Sequence, residues 1–549
     1  MFFTLAVSAA TAEACAALTD RARITDPAVM PVPGPATVAW RSPDGRAALL
    51  RWGAGAAMAA GLPVASYGGT IWAGTPTPGS GRAPVYARTT VTRVDPVYRA
   101  EVPGAVIVSD RATWAAWTAT RLDDHDPLLA CALLNPGFPL GSATAFRGVS
   151  ALPPSTPIHI LNGTLTTTPA NGHPEHLDHP ERPAPSPSSH RHSGHFRNVG
   201  SASAVAAALV DVVAPLQEAG RPVELSLTGG KDSRMVAAAL VKAGVPLRAH
   251  THGFADHPDV VIAAEVARRL GIEHDVRVPA APGQQIDVLG RIRATVLVAD
   301  GMLSAFENVG RPDPAPSPSV TAGGHGGELL RGGYAETAAG RRAAPLRAAE
   351  LLRRLTTRHL GLLRRGAAAG YIASLTPWTG ALARGPLPAL DDFYLVNRAG
   401  RWSAAARQAY LIRESLVQPL FDERVVLAAR AVPLAIRTSG DLSRAVLAEL
   451  SPALADVPLA GKPRAGAGPA PFDWRRQYGA EIASFLRDYI LDLGTSGSLF
   501  DVVDRSAAEK ALTPPQEDRA TVWALATLAC LLSADYHHAR DASSPLPVA

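Results

Sequence analysis

The stretch Thr228-Gly-Gly-Lys-Asp-Ser-Arg234 puts two glycines, two hydroxyls, a lysine and a carboxylate within one short turn. Glycines let an anion approach the main chain closely, and successive N–H groups at the start of a helix donate to it. Ser226, Thr228, Gly229, Gly230, Asp232 and Ser233 are therefore candidates for holding a phosphate. A Walker A loop is excluded. That loop needs Gly-Lys followed by Ser or Thr and an earlier glycine, whereas Lys231 is followed by Asp232 and Leu stands at position 225. A second glycine-rich stretch, Thr321-Ala-Gly-Gly-His-Gly-Gly-Glu-Leu-Leu-Arg-Gly-Gly-Tyr334, lies downstream. It adds Gly324 to the phosphate set, a histidine at 325 and a carboxylate at 328. Asp232 and Glu328 on two such loops would form a hard oxygen site suited to Mg²⁺.

These loops need elements to aim them. The first follows an apolar strand, Val223–Leu227, and leads into a helix from about Ser233 to Lys242. Around it, helix Ala202–Ala219, a Gly244 cap, strand Leu247–Thr251, helix Asp259–Leu270 and strand Glu273–Val278 alternate. That order predicts a parallel α/β sheet, in which ligands sit at the carboxyl ends of the strands. Residues 1–165 read instead as mostly β, with short apolar runs (Phe2–Val7, Ala47–Trp52, Thr70–Ala73, Val106–Ser109) between turn residues. Residues 168–199, rich in Pro, Ser and His, read as a solvated linker, with no ligand spacing to support a metal site. Beyond a second Pro-rich stretch, Arg311–Ser319, helices are expected over Pro345–Arg365, Ala404–Ala431 and Leu442–Leu454.

Composition bounds the rest. At 549 residues two or three domains are expected, and 47% hydrophobic with 18% charged residues describe a folded chain. A formal charge of +5 gives no case for a nucleic-acid partner. Three scattered cysteines (Cys15, Cys131, Cys530) suggest neither a disulfide framework nor zinc, which fits the cytoplasm. No stretch is long enough to span a bilayer; Thr521–Leu532 reads as a buried helix and Phe2–Val7 as a first core strand.

The first loop resembles the pyrophosphatase-type (PP) loop, Ser-Gly-Gly-x-Asp-Ser, of enzymes that split ATP into AMP and pyrophosphate. The second resembles the Ser-Gly-x-Gly-x-Asp-Glu-x-x-Gly-Gly-Tyr motif of asparagine synthetase and its relatives, with Glu328 where Asp is usual. Val108-Ser-Asp-Arg111 and Phe146-Arg-Gly-Val-Ser-Ala-Leu-Pro-Pro154 resemble segments of that family's amino-terminal amidohydrolase domain. The resemblance implies residues 1–167 as a degenerate Ntn-amidohydrolase-like β-rich sandwich, and residues 200–540 as a PP-loop (HUP-like) synthetase domain with a helical extension. Position 2 is Phe, where glutamine-using members carry a catalytic Cys, so the nitrogen nucleophile is expected from another source.

The implied chemistry is attack of a substrate carboxylate on the α-phosphate of ATP, loss of pyrophosphate, and aminolysis of the acyl-adenylate. Gln418-Pro-Leu-Phe-Asp422 resembles a further family segment, and beyond it the resemblance implies that Lys462 or Arg464 would reach the phosphates, without choosing between them. His325 occupies the position of a tyrosine that assists amine deprotonation in β-lactam-forming relatives. It could serve as that base, or simply hydrogen-bond a loop carbonyl. The Gly-Gly-Glu-Leu-Leu-Arg-Gly-Gly form, His325 and the missing Cys are most similar to lasso-peptide cyclases. These close a macrolactam between a leader-free core peptide's N-terminal amine and an Asp or Glu side chain. A leader-recognition protein and a leader peptidase would be partners. The alternatives are a β-lactam or carbapenam synthetase-like ring closure and an inactive peptide-binding scaffold.

Overall fold

A computed structural model describes residues 3–23, 36–52, 70–167, 201–218, 222–278, 285–307, 309, 319–340, 343–411, 415–459, 473–514, 518–538 and 546–547. The expected linker 168–199, the Pro-rich stretch apart from Ser319, and both Lys462 and Arg464 lie outside the described residues.

Strands in chain order are β1 (Phe3–Ala9), β2 (Thr37–Arg41), β3 (Ala47–Trp52), β4 (Thr70–Ala73), β5 (Val85–Arg88), β6 (Tyr98–Val102), β7 (Ala105–Ser109), β8 (Val149–Ala151), β9 (Pro157–Leu161), β10 (Thr164–Thr167), β11 (Val223–Ser226), β12 (Leu247–His252), β13 (Glu273–Arg277), β14 (Gln285–Ile286), β15 (Val320–Gly323), β16 (Ser415–Val417) and β17 (Leu546–Pro547). The first ten form two antiparallel sheets, ordered β2-β3-β1-β7-β6-β8 and β10-β9-β5-β4. Alternation along each strand sorts its side chains between two cores. Ala6, Leu49, Val106 and Val108 point between the sheets, where they meet Val85, Ile158 and Ile160. Leu5, Val7, Leu50 and Ile107 point the other way, under helices Ala12–Arg23, Ala112–Thr118 and Pro127–Leu134. Those helices had no place in the mostly-β expectation. Each is short, and its apolar residues are set by packing on the sheet.

A separate core belongs to a five-stranded, all-parallel sheet ordered β13-β12-β11-β15-β16. Helices Ala202–Val213, Lys231–Lys242 and Pro258–Leu270 supply its cover. Gly244 and Gly271 follow two of them at φ +70° and +68°, the left-handed conformation that ends a helix without a Cβ clash. Chain order runs outward from β11 in both directions, so the sheet has its switch point between β11 and β15. Ser226 pairs in register with Gly323, and both glycine loops therefore leave the same edge side by side.

Helix boundaries differ from expectation in several places: expected Ala202–Ala219 ends at Val213 and expected Leu442–Leu454 ends at Leu450, each followed by a 3-10 turn. The loop helix starts at Lys231, two residues early. The expected helix Pro345–Arg365 ends at Thr356 and is followed by a short turn and helix Arg365–Ser374. The expected helix Ala404–Ala431 does not exist as one piece: helix Ala404–Leu411 gives way to edge strand β16, then Pro419–Phe421, then helix Glu423–Arg430. Pro419 cannot continue a helix, and Ser415–Val417 finds better partners along β15.

The sandwich and the carboxyl-terminal helices share one apolar core. Helix Arg519–Leu532, almost wholly buried, meets helices Val288–Val298 and Ala480–Ser496 there together with Leu129, Leu133 and Phe146. At this junction Arg111 and Asp300, neither exposed, form an ion pair. Asp300 also accepts from the Ala112 N–H at 2.8 Å and the Thr113 hydroxyl at 2.7 Å, and Arg111 donates to the carbonyls of Leu297 and Val298. Arg93 ties the sandwich to the next layer, donating to the carbonyls of Leu152, Gly141 and Val396; burial pulls its pKa down to about 9.

Candidate active site

The two glycine loops touch through their main chains. A Cβ on Gly324 would lie 2.3 Å from the Ser233 nitrogen, and one on Gly327 would lie 2.1 Å from the Asp232 carboxyl carbon. Only glycine allows that approach. The first loop is braced internally. Ser233 Oγ accepts from the Thr228 N–H at 3.0 Å, and Thr228 Oγ1 accepts from the Gly230 N–H at 3.2 Å. Gly229 faces elsewhere, giving its N–H to Asp259 at 2.5 Å and its carbonyl to Arg234 at 3.1 Å. Buried Arg234 also donates to the carbonyls of Val457 and Pro458, so it fastens the loop to the segment that leads toward position 462.

Between the loops lies a cleft of about 320 Å³. Ser226, Thr228, Gly230, Asp232, Ser233, Gly324, His325 and Glu328 line it, which brings together every described candidate except Gly229. The open N-terminus of helix Lys231–Lys242 is at its floor, with Lys231 on the wall. Asp232 receives Arg331 at 2.5 Å; Arg331 also reaches Glu336 at 3.0 Å and Glu328 at 3.9 Å. Burial raises the Asp232 pKa, with Arg331 pulling against it. Glu328 is half-exposed and lies near Tyr394, whose hydroxyl pKa burial and that carboxylate both raise.

The donor set fits a nucleotide-borne cation. Among the described residues no group of three or more His, Cys, Asp or Glu side chains could enclose a metal alone. Two carboxylates beside an anion cradle match Mg²⁺ shared with phosphates, since that ion keeps most of its oxygens from water and substrate. Asp232 and Glu328 would hold it, and it would supply charge neutralisation to a triphosphate.

Residues 204–369 match the asparagine synthase family model. The matched segment contains both glycine loops, the switch point and Arg331. It supports ATP-dependent carbon–nitrogen ligase chemistry for this domain. A search of curated proteins finds no match. Among the described residues no helix is long and apolar enough to cross a membrane.

His325 stands where the cleft opens into a second pocket of about 110 Å³, lined also by Trp402, Ser403, Tyr410, Gln418 and Phe421. His325 is exposed to solvent, yet the protein packed around its ring still lowers its pKa by desolvation, against the pull of Glu328, which favours the neutral imidazole. Sequence reasoning missed the opposite wall. Tyr394, Arg398 and Trp402 come from a π-helix, Tyr394–Ser403, and residues four apart share one helix face. The signal was there as an i, i+4, i+8 series of Tyr, Arg and Trp. Gly333 makes room for it: a Cβ there would lie 2.4 Å from that of Tyr394. Asp391, paired with Arg437 at 2.7 Å, completes the support, because Arg437 also donates to the Leu329 carbonyl just after Glu328.

Proposed function

We propose that this chain is an ATP- and Mg²⁺-dependent, AMP-forming lasso-peptide cyclase. An Asp or Glu side-chain carboxylate of a leader-free peptide attacks the α-phosphate, pyrophosphate leaves, and the peptide's own N-terminal amine displaces AMP to form a macrolactam. Holding both ends of one molecule replaces a second encounter. The observation that carries this reading is the meeting of the two glycine loops, with Asp232 and Glu328 in one cleft and a neutral His325 between that cleft and a second pocket. His325 is the base for the amine in this scheme, and Lys462 or Arg464 the cation for the leaving phosphates.

The cysteines support an internal amine. Cys15, Cys131 and Cys530 are buried, and burial raises all three thiols, Cys131 to about 12. None offers the thiolate that glutamine hydrolysis requires. The two-sheet sandwich is then an amidohydrolase-like scaffold without that activity. A leader-recognition protein and a leader peptidase would prepare the peptide, in the cytoplasm.

The small second pocket favours one rival, ring closure of a β-lactam-like small molecule, since 110 Å³ admits a side chain and little more. Mass spectrometry of leader-free peptides incubated with chain, Mg²⁺ and ATP separates the two. Loss of one water with AMP and pyrophosphate formed is the expected result. AMP formation only with small amino acids would favour the rival, and ADP would overturn both.

A further inference from the structure

We infer that Arg398 is the carboxylate-binding residue of the acyl donor, a specificity determinant on the π-helix wall. The inference deepens the proposed reaction and rests on its acyl-donor step. Arg398 lies over the Trp402 indole at 3.4 Å and faces the Phe138 ring at 5.9 Å. Stacking fixes the plane of the guanidinium and leaves its N–H edge free. That edge is unused: among the described residues Arg398 has no hydrogen-bond acceptor and no carboxylate within ion-pair distance. Arg234, Arg331, Arg401 and Arg437 around the same site are all engaged with carbonyls or carboxylates. A half-buried, pre-oriented and unpaired guanidinium in a cleft is a fork for a planar anion.

Position chooses the anion. The phosphate end already has the helix N-terminus and Lys231, which is 3.5 Å from Glu336. Arg398 lines the same cleft from the π-helix, stacked on Trp402, which with His325 and Ser403 lines both the cleft and the second pocket. A carboxylate forked there lies between the nucleotide and the base. Because ionic pairing of the ground state is lost once the carboxylate is adenylated, Arg398 governs capture of the donor more than the chemical step.

The test uses the full chain with two probes, N-acetyl-glutamate methylamide and its glutamine counterpart, and the non-cleavable ATP analogue AMPCPP with Mg²⁺, each binding measured by titration. The wild-type chain is expected to hold the glutamate probe about tenfold more tightly than the glutamine probe, and Arg398→Gln to erase that preference, while AMPCPP affinity stays within about threefold. Arg398→Lys, which keeps charge without the fork, should retain only part of the preference. A wild-type chain that does not distinguish the probes overturns the inference. So does an Arg398→Gln chain that keeps the preference, or one that loses AMPCPP and keeps the glutamate probe, which would give the guanidinium to phosphate. Failure of the wild-type chain to bind AMPCPP sinks the ATP-dependent reaction instead, with probe discrimination still readable.

Discussion

Arg111–Asp300 and Arg331–Asp232 are the same chemical pair placed in two settings. At the junction of sandwich and helices neither partner of the first is exposed, and Asp300 is also hydrogen-bonded by Ala112 and Thr113. In the cleft Asp232 keeps access to solvent, shares its arginine with Glu336 and Glu328, and has a raised pKa. A sealed, saturated pair fixes where two layers meet. A shared, solvent-accessible pair leaves its carboxylate open to a further ligand. The same two groups thus do structural work in one place and wait for a ligand in the other.

Removing one carboxylate from each separates the roles, and these are the largest effects expected. Asp300→Ala strands Arg111 in the core, which costs about 3–5 kcal/mol and should move the denaturation midpoint sharply down. Asp232→Ala should leave the midpoint nearly unchanged and lower AMP and pyrophosphate formation by about a thousandfold or more. Equal melting of both variants would break the contrast. Pyrophosphate release that survives Asp232→Ala would remove that residue from the site.

Gly324→Ala tests the contact between the loops. A methyl group 2.3 Å from the Ser233 nitrogen must push two main chains apart, and no side chain can yield to absorb it. Affinity for AMPCPP should fall by about a hundredfold, with the parallel sheet intact by circular dichroism. Binding within a few-fold of wild type would show that the loops need not touch.

His325 sits at the next level down, on ring closure alone. His325→Gln should spare adenylation and slow amide formation by about a hundredfold, the ordinary contribution of a positioned base. Its pH profile has a definite sign. The base is the neutral imidazole, and desolvation lowers its pKa, so protonation removes activity only below the usual value of about 6.5. The acid limb of closure should therefore fall on the acid side of that value. A limb above it would mean that another group titrates.

How much of this was readable beforehand depended on range. Thr228 to Ser233 and Gly323 to Tyr334 carry their geometry in adjacent residues, and Gly244 and Gly271 mark helix ends locally. The parallel sheet followed from alternation of elements. Strand β16 did not, because three residues in a helix-favouring context become a strand only by pairing with β15, more than ninety positions earlier. Arg331 was likewise invisible as a partner of Asp232, 99 residues away. Tyr394, Arg398 and Trp402 stand at the i, i+4, i+8 spacing of one helix face, but only the packing of Gly333 against Tyr394 turns that face toward the glycine loops.

The smallest effect comes from a glycine with the opposite environment to Gly324. Gly370 lies inside helix Arg365–Ser374, and a Cβ there would meet nothing within 4 Å. Glycine in a helix interior loses more backbone entropy than alanine, by about 0.5–1 kcal/mol. Gly370→Ala should therefore raise the denaturation midpoint slightly and leave AMPCPP affinity and AMP formation unchanged. The same substitution at Gly324 is damaging because its Cβ has a main chain to strike. If Gly370→Ala instead lowered stability, helix Arg365–Ser374 would owe that glycine to a neighbour packed on it, and the distinction between a glycine kept for close approach and one without such a contact would fail at this site.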